Sequence, residues 1–203
     1  MNRLFEENKF EKIQIPLPEA VLNYYPTFFA EELANNFYEK IYTETHWKHE
    51  SIVIFNRKIL QPRLTALYGN DGKPYGYSGI VMQPQPFSPT LMFIKNEIEQ
   101  LTNLRFTTVL LNLYRDGNDS MGWHSDNEKE LGNNPIIASV SLGATRKFQL
   151  KHQTKIEIKK DINLSNGSLL LMEDGFQKHY KHQIPKTKQT VLPRINLTFR
   201  TIL

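Results

Sequence analysis

The pattern of apolar and polar positions changes near residue 107. Before it, two stretches have helical spacing. In PTFFAEELANNFYEKIY (26–42), Phe29, Leu33, Phe37 and Ile41 recur on one face, which predicts a helix. Ser88 and Pro89 supply an N-cap and a first-turn proline for LMFIKNEIEQL, so a second helix is expected to run to about Asn103. Residues 1 to about 23 read as an arm or a short edge strand. The region 52–87 reads as strands and turns, with Gly69-Asn70-Asp71-Gly72 as a hairpin tip.

After residue 107 the segments are short, β-branched and aromatic. TTVLLNLY, PIIASVSL, RKFQLKH, KIEIKK, GSLLLME and RINLTFRTIL are separated by turn signals at Asp116-Gly117, Gly132-Asn133-Asn134-Pro135 and Asn166-Gly167. The spacing predicts an antiparallel sandwich or barrel, with the two helices covering one face.

Strand alternation isolates a polar set. In RINLTFR, Ile195, Leu197 and Phe199 share one face, and Arg194, Asn196, Thr198 and Arg200 share the other. TTVLLNLY is apolar enough to be buried on both faces, yet it carries Asn112 and Tyr114 beside Leu110. Buried polar groups need partners. A bound dianion would satisfy Asn112, Tyr114, Arg194 and Arg200 together, because an arginine fork matches a carboxylate. A half-exposed strand with a wet face is the plainer reading.

Composition narrows the chemistry. The 203 residues contain no cysteine, which excludes disulfides, thiolate metal sites and a cysteine nucleophile. No apolar run is long enough to span a bilayer and the polar N-terminus has no signal-peptide core, so a cytoplasmic (or nuclear) protein without membrane contact is expected. A net charge of +4 mildly favours a polyanionic partner.

Metal ligation is left to histidine and carboxylate. His124 and Asp126, two apart in SMGWHSDNE, project to one side of an extended segment. The third ligand could come from His46, His49, His152, His179 or His182. Two histidines and one carboxylate with open positions suit non-haem Fe(II), with zinc as the rival.

Six motifs in order then carry a resemblance. NLYRDG (112–117), GWHSDNE (122–128), IIASVSLGATRKF (136–148), GSLLLM (167–172), HYKHQIP (179–185) and PRINLTFR (193–200) resemble the AlkB family of Fe(II)- and 2-oxoglutarate-dependent dioxygenases that demethylate alkylated nucleobases. The likeness is densest from 107 to 203 and extends back through PRLTALYG (62–69) and YGYSG (75–79). It implies an α+β fold: a double-stranded β-helix (jelly roll) core, N-terminal helices packed outside, and a substrate-binding hairpin region. Residues 1–106 would hold the arm, helices and nucleotide-recognition hairpins, and 107–203 the catalytic core, within one structural domain.

The resemblance also assigns residues. Fe(II) would sit on His124, Asp126 and His182, the last chosen for its His-Gln-Ile-Pro context, with His179 a neighbour. The cosubstrate 2-oxoglutarate would meet Asn112, Tyr114, Arg194, Asn196 and Arg200, with Arg194 on its distal carboxylate. Glu128 would contact the exocyclic amine of the damaged base, and Tyr75 and Tyr77 would wall the base pocket. Phe55 and Arg63 match a wedge and a groove-contacting arginine in some relatives. Phosphate contacts are expected from Arg57, Lys58, Arg63, Lys73 and Lys147. The implied reaction uses O2, yields succinate and CO2, and releases an N-methyl group as formaldehyde. The expected protein is a monomer acting on alkylated DNA (1-methyladenine, 3-methylcytosine). RNA demethylation by the same chemistry is one alternative. Others are a jelly-roll module that binds nucleic acid without turnover, and an oxygenase acting on a protein side chain or small molecule. Asp126→Ala is expected to abolish turnover with the fold intact. Trp123 and the basic stretch Lys155 to Lys160 receive no role.

Overall fold

The computed structural model describes residues 11–54, 57–70, 72–73, 75–77 and 80–203, with the side chains of 53, 54, 57, 58, 75, 77 and 80 outside the description. The elements of the first half are β1 (Ile13–Gln14), β2 (Leu22–Tyr25), α1 (Glu31–Glu44), β3 (Ser51–Ile54), β4 (Arg57–Leu60), β5 (Leu64–Gly69), β6 (Tyr75–Tyr77), β7 (Ile80–Met82) and α2 (Pro89–Thr102). Then follow β8 (Thr108–Tyr114), β9 (Met121–His124), β10 (Ile137–Gly143), β11 (Arg146–His152), β12 (Lys159–Leu164) and β13 (Ser168–Met172). A short α3 (Phe176–His179), β14 (Tyr180–Ile184) and β15 (Arg194–Arg200) complete the chain.

Two antiparallel sheets face each other. The larger runs β1-β2-β13-β10-β15-β8-β5 and the smaller β12-β11-β14-β9. Alternation along the large sheet explains three layers. Val109, Leu111, Leu113, Ile195, Leu197 and Phe199 pack outward against Ala34, Phe37, Ile94 and Ile98 of the two helices. Leu110, Tyr114, Leu170 and Met172 face inward onto Phe148, Leu150, Ile162 and Ile184 of the small sheet. This is the jelly-roll arrangement with helices outside, and the polar face of β15 is turned into the space between the sheets.

The helices depart from the sequence pattern in one place. The Ser88 Oγ accepts from the Leu91 amide at 3.3 Å and Asn103 closes α2 in the left-handed conformation, as the capping residues predict. In contrast, α1 begins at Glu31 rather than at Pro26, and its buried face is Ala34, Phe37 and Ile41, with Leu33 38% exposed. The reason is the preceding turn. Phe29 leaves the helix to donate its amide to the Gly167 carbonyl at 2.9 Å, and its ring packs on Phe37.

That junction rests on a glycine. Gly167 has φ +75 and an added Cβ would lie 2.4 Å from the Phe29 carbonyl oxygen. We expect Gly167→Ala to destabilise by about 1–3 kcal/mol from the backbone strain alone. Chemical denaturation checks it, and an unchanged midpoint would contradict the close approach.

Two strand expectations are corrected. The residues of KIEIKK do not form one strand: the backbone turns at Lys155–Ile158, Ile156 is 76% exposed, and β12 starts at Lys159. The His152 Nδ1 holds this turn by accepting the amides of Thr154 and Lys155 at 3.2 and 3.0 Å. The strands flanking Gly69–Gly72 do not pair with each other, because β5 joins β8 in the large sheet and β6 pairs with β7. Asp71 lies outside the described residues. At the N-terminal edge, β1 pairs with β2, as a short edge strand. Among the described residues no helix is long and apolar enough to cross a membrane.

Candidate active site

The small sheet carries two strands whose sequences, MGWH and YKHQI, lack a continuous apolar pattern. The pairing of β9 with β14 sets His124 directly opposite His182. Their rings are 4.2 Å apart between centroids. Asp126 follows β9 by two residues, and the ligand atoms of His124, Asp126 and His182 all lie within 4.8 Å of one another. The expected triad is thus assembled in one place.

Each member is held by its surroundings. The His124 Nδ1 lies 2.8 Å from the Gly122 carbonyl, so this nitrogen carries the proton and Nε2 keeps its lone pair. Phe148 stacks on His182 at 5.1 Å between centroids and an interplanar angle of 23°. Burial and neighbouring His124 push His182 down to about 3, and burial lowers His124 against the pull of Asp126. Both imidazoles are therefore neutral at physiological pH, the state that binds a metal. Burial works against an ionised Asp126, but Arg200 and then the two histidines outweigh it and hold the carboxyl at about 2. Arg200 Nη2 donates to Asp126 Oδ1 at 2.8 Å.

Gln177 completes the cradle and had no signal in the sequence. It is buried in α3, its Oε1 accepts the Asp126 amide at 2.9 Å, and its Nε2 faces the Met172 sulfur at 3.5 Å. A single amide side chain thereby fixes the backbone at the carboxylate. We expect Gln177→Ala to weaken Fe(II) affinity about 10–100-fold, with the 2-oxoglutarate requirement of the iron-saturated protein unchanged. Equal losses in both would contradict a positioning role.

The polar face of β15 lines the same cavity. Arg194 is fully buried, donates through Nη2 to Ser141 Oγ at 2.8 Å, and lies 5.3 Å over the Tyr114 ring. Its Nε and Nη1 have no hydrogen-bond partner among the described residues. Burial lowers its pKa to about 10. Two donor nitrogens left unpaired in a buried cavity cost free energy unless an acceptor enters. Asn196 is occupied, donating to Ser139 Oγ and the Val140 carbonyl and accepting from Thr198 Oγ1. Ser139 and Ser141 were legible in principle, since SVSL alternates and puts both on the inner face.

Arg63 corrects the sequence picture. It stands just before β5, and its Nε donates to the Asn112 Oδ1 at 2.7 Å, while Asn112 also lines the cavity. Arg63 is 3% exposed and lines the cavity beside His124 and Asp126; it is not on an outer surface able to reach a nucleic-acid groove or phosphate. An arginine that the sequence did not flag, Arg146, donates to the carbonyls of Asp116, Asp119 and Pro185, tying two loops together at the Tyr114 end of the cavity.

Glu128 is half-buried, at the start of the turn that follows Asp126. The backbone of β6 approaches this turn, since a Cβ on Gly76 would lie 3.3 Å from Glu130 Oε1. Phe55 and the side chains of Tyr75, Tyr77, Arg57 and Lys58 lie outside the described residues. His179 sits apart from the triad with His152 and Glu19. That second cluster is an ion-pair arrangement: His152 accepts amides at Nδ1, so its Nε2 proton points to Glu19 at 3.2 Å, and Lys155 occupies the same carboxylate oxygen.

A sequence profile of the 2OG-Fe(II) oxygenase superfamily matches residues 21–200. The chain belongs to this superfamily. Within it the chain is an AlkB homologue. It is 41% identical over 187 residues to alpha-ketoglutarate-dependent dioxygenase alkB homolog 3 of Homo sapiens, covering 88% of this chain and 65% of that protein. It is 33% identical over 190 residues to DNA oxidative demethylase ALKBH2 of Homo sapiens, covering 88% and 72%. The uncharacterized protein R406 of Acanthamoeba polyphaga mimivirus is 34% identical over 176 residues, covering 85% and 91%. The chain spans 63–65% of the length of the alkB homolog 3 proteins it matches. In fold, it resembles OsALKBH1 with a TM-score of 0.65 at 19% identity, covering 93% of this chain and 100% of that one.

Proposed function

We propose that this AlkB homologue is an Fe(II)- and 2-oxoglutarate-dependent dioxygenase that demethylates N-alkylated bases, 1-methyladenine and 3-methylcytosine, in DNA. The observation that carries the proposal is the convergence of two features in one cavity. A His-Asp-His set, buried at Asp126 and His182 and neutral at both imidazoles, faces a buried arginine with two unpartnered donor nitrogens. The donor set fits Fe(II), and Arg194 fits a carboxylate.

In this reading His124, Asp126 and His182 hold the iron, and Arg194 binds the distal carboxylate of 2-oxoglutarate, with Tyr114 packed against it and Asn196 beside it. Iron and 2-oxoglutarate would supply the oxidation of an N-methyl carbon by dioxygen, yielding succinate, CO2 and formaldehyde. The chain's own groups do the positioning. Arg200 fixes one carboxylate oxygen of Asp126, leaving the other for the metal. Gln177 fixes the backbone beneath it. His124 keeps its proton on Nδ1 and offers Nε2. Leu110, Phe148 and Leu164 give the cavity an apolar wall. The base would be extruded into the mouth, at a cost of a few kcal/mol that is lower for a damaged or unpaired base. There Glu128 would accept from its exocyclic amine and Tyr75 and Tyr77 would wall it. The protein would act as a monomer in the cytoplasm or nucleus.

RNA is the alternative substrate with the same chemistry. A stoichiometric assay with DNA and RNA oligonucleotides tests both. Each repaired base should consume one 2-oxoglutarate and release one formaldehyde and one succinate. Succinate formation that no methylated oligonucleotide stimulates would leave an oxygenase but remove the nucleic-acid substrate.

A further inference from the structure

The outer face of the small sheet carries an arrangement that its own fold does not explain. Register places Lys151 directly opposite Lys181 on one side and Lys159 on the other. Three lysines thus form one row across β14, β11 and β12. Each alternates with an inward neighbour, so all three project to the outside, where Lys159 and Lys181 are exposed and Lys151 is half-exposed. Like charges directly opposite on neighbouring strands are destabilising. Among the described residues neither Lys159 nor Lys181 has an ion-pair partner. The acid on this face, Asp161, is engaged by Lys147 at 2.9 Å and by Gln149 at 3.1 Å.

Trp123 stands beside this row: His124 pairs with His182 and Met121 with Ile184, so Trp123 faces Gln183, one row from Lys181. It is 38% exposed on β9, the edge strand, and Lys151 Nζ lies 4.3 Å from its ring centroid. Because β14 lies between β9 and β11, the indole must lean across β14 to meet Lys151. A large aromatic is thereby held on a basic surface one residue before His124. The adjacent row is neutral and ordered, with Gln183 donating to Gln149 at 2.7 Å.

We propose that this face is the track for single-stranded nucleic acid flanking the target base. Phosphates lie along Lys159, Lys151 and Lys181, and an unpaired base stacks on Trp123. The surface is polyanion-complementary along a line, and its one aromatic offers a π-face, the combination that binds single strands with little sequence preference. A duplex has no unpaired base for the indole. The inference rests on the demethylase reading in placing Trp123 next to the reacting site, and it gives the lysines and Trp123 a function that neither metal nor cosubstrate requires.

The test uses the full chain and two readouts. Anisotropy of a labelled oligothymidylate of about fifteen nucleotides, near the upper end of single-fold site sizes, reports binding. Lys151→Glu/Lys159→Glu/Lys181→Glu should weaken it at least about tenfold at physiological salt and flatten the salt dependence by about 2 log units per log unit, the value for three lost phosphate contacts on a single strand. Trp123→Ala should weaken it about tenfold with the salt slope unchanged, as loss of one stacked base predicts. In turnover, both variants should raise KM for a 3-methylcytosine oligonucleotide of that length, keep kcat, and leave a methylated trinucleotide unaffected. Melting at or above the native temperature shows that the lysine variant is folded. Wild-type affinity and KM in both variants overturn the track, as does preference for duplex over single strand or for an acidic protein. If the native protein demethylates no oligonucleotide, the demethylase reading fails, and the binding arm still decides the track.

Discussion

Asp126→Ala is expected to abolish 2-oxoglutarate turnover and also to destabilise the protein by about 3–5 kcal/mol, the cost of removing one partner of a buried ion pair. The sequence alone predicts loss of activity with the fold intact. The structure changes the second half of that expectation, because Asp126 is the partner of Arg200, and both side chains are almost fully buried. Alanine takes the carboxylate away from a buried, charged guanidinium. Asp126→Asn keeps an acceptor for Arg200 and should lose activity with a smaller stability loss, so the pair separates metal ligation from charge pairing. The pH dependence has a defined sign. The folded carboxyl is held at about 2 against an ordinary 3.8, so its contribution is present above about 3.8 and is lost as pH falls from there through about 2. Acid titration of the metal-free protein, followed by circular dichroism, should show this component in the native chain and not in Asp126→Asn. Identical profiles would contradict the buried pair.

Arg194→Met is expected to raise the 2-oxoglutarate requirement roughly 10²- to 10⁴-fold, the equivalent of two hydrogen bonds to a charged group at about 1.5–3 kcal/mol each. The oligonucleotide requirement should stay near the native value, since Arg194 is fully buried, with its guanidinium over the Tyr114 ring. Stability should move the other way. Burial already works against the Arg194 charge, lowering its pKa to about 10, and its Nε and Nη1 lack partners. A methionine of similar length removes that unpaired charge, so the ligand-free variant should melt at or above the native temperature. The native protein alone should gain a large further increment when 2-oxoglutarate and a redox-inert divalent metal are added. An equal rise in both substrate requirements, or a melting temperature far below native, would show that Arg194 is structural.

How far the site can be read from sequence depends on which residues declare a period. Arg194, Asn196 and Arg200 alternate with Ile195, Leu197 and Phe199, and that parity survives folding because the helices claim one face of β15 and leave the other inside. Capping residues locate α2 for the same reason: the signal is local chemistry. The strands that carry the two histidines were not legible as strands. β9 is an edge strand whose burial is mixed, and β14 alternates lysine, histidine and glutamine, so neither presents an apolar stripe. Gln177 and Arg146 act through backbone groups of distant loops, and no spacing encodes such partners. Arg63 shows the opposite error. A basic residue beside strand-and-turn sequence suggests a wet surface, yet tertiary packing buries it on Asn112. The turn at 155–158 overrode a β-branched pattern because one buried imidazole accepts two amides there.

Relatives named as an alpha-ketoglutarate-dependent dioxygenase and a DNA oxidative demethylase make nucleic acid the first substrate to try. The cavity's polar inner face makes 2-oxoglutarate the first cosubstrate. The most direct test of the central claim is aerobic incubation of the full chain with Fe(II), 2-oxoglutarate and a single-stranded oligonucleotide carrying one 3-methylcytosine, followed by mass measurement of the oligonucleotide. The account predicts loss of the mass of one methylene group, dependent on both iron and 2-oxoglutarate and absent in Asp126→Asn. An unchanged oligonucleotide mass in a reaction that forms succinate would contradict it.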